Sequence, residues 1–219
     1  MSELLKLAVL ISGQGRTLKN ILNVIERGEL NAKVELVIAS KEDCPGLQCA
    51  EQRKIPTLVI SSDGYESNED FSEGVFTPIT ARRVDYVVMA GYLKLLLIPH
   101  EYRDRVLNIH PSLIPSFCGK GMYGIGVHQQ AIERGVKVTG CTVHFVDNIY
   151  DNGPIILQKV IDVHDDDTPE TLQTRVLHEC EFVAYPQVLR YLSEGRIEVY
   201  NRKDCPHRAV RILPPKNTK

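Results

Sequence analysis

Apolar positions in the first half of the chain come in short unbroken runs. Leu7 to Ser12, Val34 to Ser40, Thr57 to Ser61, Val84 to Ala90 and Val106 to His110 each read as a buried strand. Between them the spacing turns helical. Thr17 to Arg27 sets Leu18, Ile21, Leu22 and Ile25 on one face, Gly46 to Gln52 is a short helix, and Ser67 to Arg83 is a longer, more polar one. Buried strands alternating with amphipathic helices predict an α/β fold, a doubly wound and mostly parallel sheet.

The pattern changes after Pro111. Val138 to Val146 and Pro154 to Val163 read as two strands, and the turn-rich stretch Asp147 to Gly153 joins them as an antiparallel pair. Thr168 to Leu192 has one long helical pattern, with Thr168 as cap and Pro169 as first residue. Ile197 to Tyr200 is an edge strand. Residues 1–201 are expected to make one domain, and the basic, Pro-containing tail 202–219 is expected to be poorly ordered.

Composition narrows the partners. A net charge of −2 on 219 residues gives no global attraction to nucleic acid or an anionic membrane. Lys94 interrupts the most apolar stretch, Tyr92 to Ile98, so no membrane span is expected, and Leu7 to Ile11 leads into a Gly turn rather than a cleavage site. The six cysteines form no CxxC pair and read as reduced thiols of a cytoplasmic protein. Neither Cys nor His has metal-ligand spacing, so no metal is expected.

Three places carry candidate chemistry. In Ser12-Gly13-Gln14-Gly15-Arg16-Thr17 the glycines and the free N–H groups of the next helix suit an anion such as phosphate, with Arg16 adding charge. A plain tight turn is the other reading. A dinucleotide is disfavoured, since Leu18 replaces the third glycine of the fingerprint and Ser40-Lys41 ends the second strand where an acid is wanted. Second, alternation puts Asn108 and His110 on one face, about 6.6 Å apart, at a strand's carboxyl end. Buried polar groups there need partners. The pair reads as catalytic, against a hydrogen-bonded core histidine. Third, Thr142 and His144 share a strand face, and Asp151 follows in the loop. A carboxylate near an imidazole raises its pKa and fixes its orientation; an Asp in a turn is otherwise an Asx cap.

Together these segments resemble the phosphoribosylglycinamide formyltransferase family from Leu7 to about Leu192. The resemblance rests on Ile11-Ser12-Gly13-x-Gly15, Met89-Ala90-Gly91-Tyr92-x-Lys94, Leu107-Asn108-Ile109-His110-Pro111-Ser112-Leu113-x-Pro115, Gly140-x-Thr142-Val143-His144 and Asp151-x-Gly153-Pro154-Ile155-Ile156-x-Gln158. It implies a Rossmann-like formyltransferase fold and the transfer of a formyl group from 10-formyltetrahydrofolate to the amine of 5-phosphoribosyl-glycinamide. It implies a catalytic trio of Asn108, His110 and Asp151, supported by Thr142 and His144. The acceptor side falls on Gly13, Gly15, Arg16, Thr17, Gly91 and Pro111. The folate side falls on Met89, Tyr92, Lys94, Leu95, Leu96, Asn148, Ile149 and Tyr150. The partners implied are thus a phosphorylated amine and folate, without nucleic acid or membrane, in a monomer or homodimer.

The resemblance also implies a helix carboxylate that meets the substrate amine. Counting back from Tyr185-Pro186 gives Glu181, whereas counting forward from Arg175-Val176 gives Cys180. One residue is therefore inserted, and Glu179 is a second candidate. Arg16-Thr17 replace the family's usual Ser-Asn, and Gln14 its Asn or Gly. The glycine-rich stretch Phe117 to Gly126 matches the family's mobile flap. The rival readings are a relative with a different acceptor, a formyltetrahydrofolate hydrolase, and a non-catalytic ligand sensor on the same fold.

Overall fold

The computed structural model describes residues 4–215. Its strands form a seven-stranded, mostly parallel sheet and a separate two-stranded one. Contacts divide the chain into two units. The first runs to Asn108 and includes Val146–Asn148; the second holds Ile109–Phe145 and the residues from Ile149 onward.

The first unit contains β1 (Leu5–Ile11), α1 (Arg16–Glu26), β2 (Ala32–Ala39), α2 (Leu47–Glu51), β3 (Thr57–Val59), α3 (Asn68–Ala81), β4 (Tyr86–Met89) and the start of β5 (Val106–His110). The strands run parallel in the order β3-β2-β1-β4-β5. Every residue of β1 except Lys6 is buried, as a central parallel strand requires. The core gathers Ala8, Leu10, Leu36, Ile38 and Val87 with Phe71, Val75, Phe76 and Ile79 of α3. Helix α3 starts where Ser67 accepts a hydrogen bond from the Asp70 amide.

The second unit takes up the end of β5, then α4 (Ile125–Glu133), the antiparallel pair β6 (Val138–Phe145) and β7 (Ile155–Asp162), α5 (Pro169–Arg175), α6 (Phe182–Ser193), β8 (Ile197–Asn201) and β9 (Arg208–Ile212). Thr168 caps α5 in a reciprocal capping box with Thr171, and Pro169 is its first residue.

Two features differ from the sequence-based expectation. The helix expected over Thr168 to Leu192 is continuous, but a π-helical turn, Val176–Glu181, separates α5 from α6. A π turn holds one extra residue inside a helix, so it accommodates the insertion counted between Arg175 and Tyr185. In the tail, Arg208–Ile212 pairs with β8 as a hairpin, and Arg211 lies over the Tyr200 ring, 4.9 Å from its centroid. The tail residues 216–219 lie outside the described residues. Among the described residues no helix is long and apolar enough to cross a membrane.

Candidate active site

The first unit brings the Ser12–Gly15 loop together with the ends of β2 and β4. Ser12 donates its amide to the Gly91 carbonyl at 3.1 Å, and its hydroxyl accepts from the Leu93 amide at 3.1 Å and from Ser40 Oγ at 2.8 Å. The Gly13 carbonyl accepts from the Gly46 amide at 3.0 Å and the Cys44 thiol at 3.1 Å. Gly15 is left-handed at φ 68°, and a Cβ on it would lie 2.7 Å from Gly46 Cα. Only glycine satisfies both constraints. Gly15 caps α1 without a side-chain acceptor, Arg16 is exposed in the first turn, and Thr17 is buried.

Most of the expected folate residues of this unit lie at the end of β4 and just after it. Met89, Tyr92 and Leu96 are buried, while Lys94 and Leu95 are half-buried. The buried Tyr92 hydroxyl has no partner among the described residues, and burial pushes its pKa well above the usual phenol value. Asn148 Oδ1 accepts from the Ile98 amide at 2.8 Å. In the second unit Ile149 and Tyr150 are exposed, by 63% and 38%.

The second unit gathers His110, Asp151 and His144. His110 ends β5, and its side chain is 4% exposed. Its Nε2 lies 2.8 Å from the Phe117 carbonyl, and its Nδ1 lies 3.4 Å from Asp151 Oδ2. A carbonyl only accepts, so the short contact requires a proton on Nε2. His144 donates Nδ1–H to the Phe145 carbonyl at 2.9 Å and points Nε2 at Asp151 Oδ1, 3.7 Å away. The β6–β7 register slips between Val143 and His144, an irregularity of the kind that re-aims a side chain. Asp151 is itself left-handed at φ 52°, which Asp and Asn tolerate better than most residues, and Oδ2 also accepts from the Gly119 amide at 2.9 Å. Thr142 Oγ1 donates to the Ser112 carbonyl at 2.7 Å and accepts from the Ile114 amide at 3.1 Å.

The charge balance here differs from the sequence expectation. Burial lowers the His110 pKa; Asp151 and the Phe117 carbonyl raise it and the charge of His144 opposes them, leaving it below its ordinary 6.5. Burial raises the Asp151 carboxyl, but His144, His110 and the Gly119 amide together hold it below its usual value. The resting arrangement is an ionised carboxylate beside an imidazole that holds its second proton loosely.

Of the two helix carboxylates, Glu179 is exposed and pairs with Arg175 at 3.4 Å, whereas Glu181 is half-buried at the end of the π turn. Four groups around the imidazole were not legible in the sequence. The Phe117 carbonyl and Gly119 amide act through backbone atoms, and Ser112 is a motif residue with no chemistry of its own. His128, a lone histidine on α4, is buried with no partner for Nδ1 among the described residues. Burial, and then the nearby charge of His110, push His128 down to about 4. Among the described residues no group of three or more His, Cys, Asp or Glu could hold a metal ion.

Comparison with known proteins places the chain in a family. The formyl transferase family model matches residues 5–189. A phosphoribosylglycinamide formyltransferase of Haemophilus influenzae is 36% identical over 196 residues, covering 89% of this chain and 90% of that protein. The chloroplastic enzyme of the same name from Arabidopsis thaliana is 40% identical over 196 residues, covering 88% of this chain and 67% of its own. The crystal structure of glycinamide ribonucleotide transformylase 1 from Symbiobacterium toebii superposes with a TM-score of 0.86 at 38% identity, covering 96% of this chain and 95% of that one. The chain therefore belongs to the phosphoribosylglycinamide formyltransferase family of formyl transferases.

Proposed function

We propose that this chain moves the formyl group of 10-formyltetrahydrofolate onto the amine of 5-phosphoribosyl-glycinamide, with His110 as proton donor and Asp151 as the anion that steadies it. The observation that carries this is the buried imidazole held at Nε2 by a backbone carbonyl and facing a carboxylate at Nδ1. A ring fixed this way delivers its second proton from one atom, Nδ1.

As the amine attacks the formyl carbon, the carbonyl electron pair moves to oxygen. Asn108 donates a hydrogen bond to that oxygen, and the His110 imidazolium offers it Nδ1–H. The burial that lowers the His110 pKa in the resting protein is offset by the developing negative charge, so the stabilisation grows toward the transition state. When the carbon–nitrogen bond to folate breaks, His110 gives its proton to the folate nitrogen, and the proton lost by the amine restores it. Atoms balance without a covalent enzyme intermediate.

The remaining roles are those the family resemblance implies. Gly13, Gly15, Arg16 and Thr17 bind the phosphate at the start of α1, where free amides and the helix dipole favour an anion. Gly91 and Pro111 line the acceptor, and a helix carboxylate receives the amine, the half-buried Glu181 or the exposed Glu179. Met89, Tyr92, Lys94, Leu95 and Leu96, with Asn148, Ile149 and Tyr150, take the folate; the Tyr92 hydroxyl, buried without a partner among the described residues, is one polar group on that side. Thr142 and His144 hold Ser112 and Asp151 in place.

The test is folate release by the purified chain from 10-formyltetrahydrofolate, with and without phosphoribosyl-glycinamide. Release that requires the acceptor and yields its formyl derivative is the expected result. Release without acceptor would make the chain a hydrolase, and no release in either arm would make it a sensor.

A further inference from the structure

We propose that Ser112 is a positioning residue for formyl transfer, acting through the Phe117 carbonyl to set which nitrogen of His110 carries its permanent proton. The proposal rests on the reading of His110 as proton donor. Ser112 is fully buried, and its one hydroxyl proton is shared between the carbonyls of Ser116, at 2.5 Å, and Phe117, at 3.3 Å. The Ser112 carbonyl is anchored by Thr142 Oγ1 at 2.7 Å, and the Ser116 amide returns to the Leu113 carbonyl at 2.9 Å. Ser112 thus ties off the turn from its own position to Phe117.

What that turn presents is specific. Phe117 is left-handed at φ 48°, a conformation an aromatic residue rarely adopts unless its surroundings impose it. Held this way, its carbonyl sits 2.8 Å from His110 Nε2. Two residues on, the Gly119 amide reaches Asp151 Oδ2 at 2.9 Å, with Gly119 at φ 94°. One short stretch of backbone therefore meets both His110 and Asp151, and one buried hydroxyl braces it.

The consequence is tautomeric. A neutral imidazole has a single N–H, and a carboxylate attracts it more strongly than a carbonyl does. Without the turn, the proton of His110 would settle on Nδ1 against Asp151 and leave Nε2 bare. With the Phe117 carbonyl fixed at 2.8 Å and Asp151 at 3.4 Å, Nε2 keeps its proton and Nδ1 becomes the site that gains and loses one.

The experiment is a long-range proton–nitrogen correlation spectrum of the ¹⁵N-labelled full chain above the His110 pKa, with that ring assigned by its loss in His110→Gln. The native ring is expected as the Nε2–H tautomer; a native Nδ1–H form overturns the proposal outright, whatever any variant does. In Ser112→Ala the Nδ1–H form is expected to appear. Turnover should fall about tenfold, a fraction of the 10²–10⁴ that positioned proton transfer supplies, while both KM values stay within about twofold. An unchanged tautomer, or unchanged turnover despite a changed tautomer, also overturns it. If the native chain transfers no formyl group, the activity reading fails, and the tautomer spectra still decide the role of Ser112.

Discussion

Among the described residues, the buried polar side chains of the first unit are all hydroxyls: Ser12, Thr17, Ser40 and Ser72. The second unit buries hydroxyls too, but adds three imidazoles, His110, His128 and His144, with one carboxylate between two of them. A hydroxyl satisfies backbone groups without ever changing charge in the physiological range. An imidazole buried at the same depth ties stability and chemistry to pH. The comparison separates a unit whose buried polar side chains keep one charge state from one that also buries His110 and His128, both shifted by burial.

Asp151→Asn is the sharpest attack on that distinction. Asn tolerates the left-handed backbone at this position and keeps an oxygen for the Gly119 amide, so the substitution removes charge while sparing the geometry. Turnover should fall at least about 10²–10³-fold, or roughly 3–4 kcal/mol, the scale of losing one preorganised group at a developing charge. Steady-state assays and circular dichroism check it together. Near-normal turnover in a folded variant would remove Asp151 from the reaction.

That outcome also bears on how much of the site could be read from the chain. The parallel half was legible because buried strands are written as unbroken apolar runs, and Asn108, His110 and Asp151 stood out as polar residues at a strand end and in a turn. Burial depth was not legible, so the expected rise in the His110 pKa came out as a fall: proximity to Asp151 is visible in a motif, the desolvation that outweighs it is not. The π turn was visible only as a counting mismatch. Strand β9 was hidden because five residues in a basic, Pro-containing segment carry too little periodicity to separate from coil, and its pairing with β8 is a tertiary fact. Phe117 and Gly119 act through carbonyl and amide, which every residue possesses, so no residue type announces them.

His128 supplies the next largest effect. Its folded pKa of about 4 lies below the 6.5 of an ordinary histidine. Between those values the unfolded chain binds the extra proton and the folded chain does not, so stability falls as pH falls through that window. Two and a half units correspond to roughly 3 kcal/mol by pH 4. His110 adds to the same slope. Asp151, held below its usual carboxylate value, contributes stability that is lost only at lower pH still. His128→Phe, a ring replacing a ring, should flatten the loss measured by urea unfolding between pH 6.5 and pH 4. A variant that follows the native curve would show that His128 does not titrate as its burial requires.

Ser72→Ala is the matching change in the first unit and the smallest effect. Ser72 donates to the Asn68 carbonyl at 2.6 Å and accepts from the Leu97 amide at 2.9 Å, so its loss leaves a partly buried amide without its acceptor. The cost should be about 1–2 kcal/mol, the usual penalty for an orphaned backbone donor. Its size matters less than its shape. No proton is bound or released at a hydroxyl in this range, so urea midpoints should drop equally at pH 8 and pH 5, with the native pH slope intact. A loss that doubled at the lower pH would mean that Ser72 is coupled to a titrating group, and the division between the buried polar side chains of the two units would have to be redrawn.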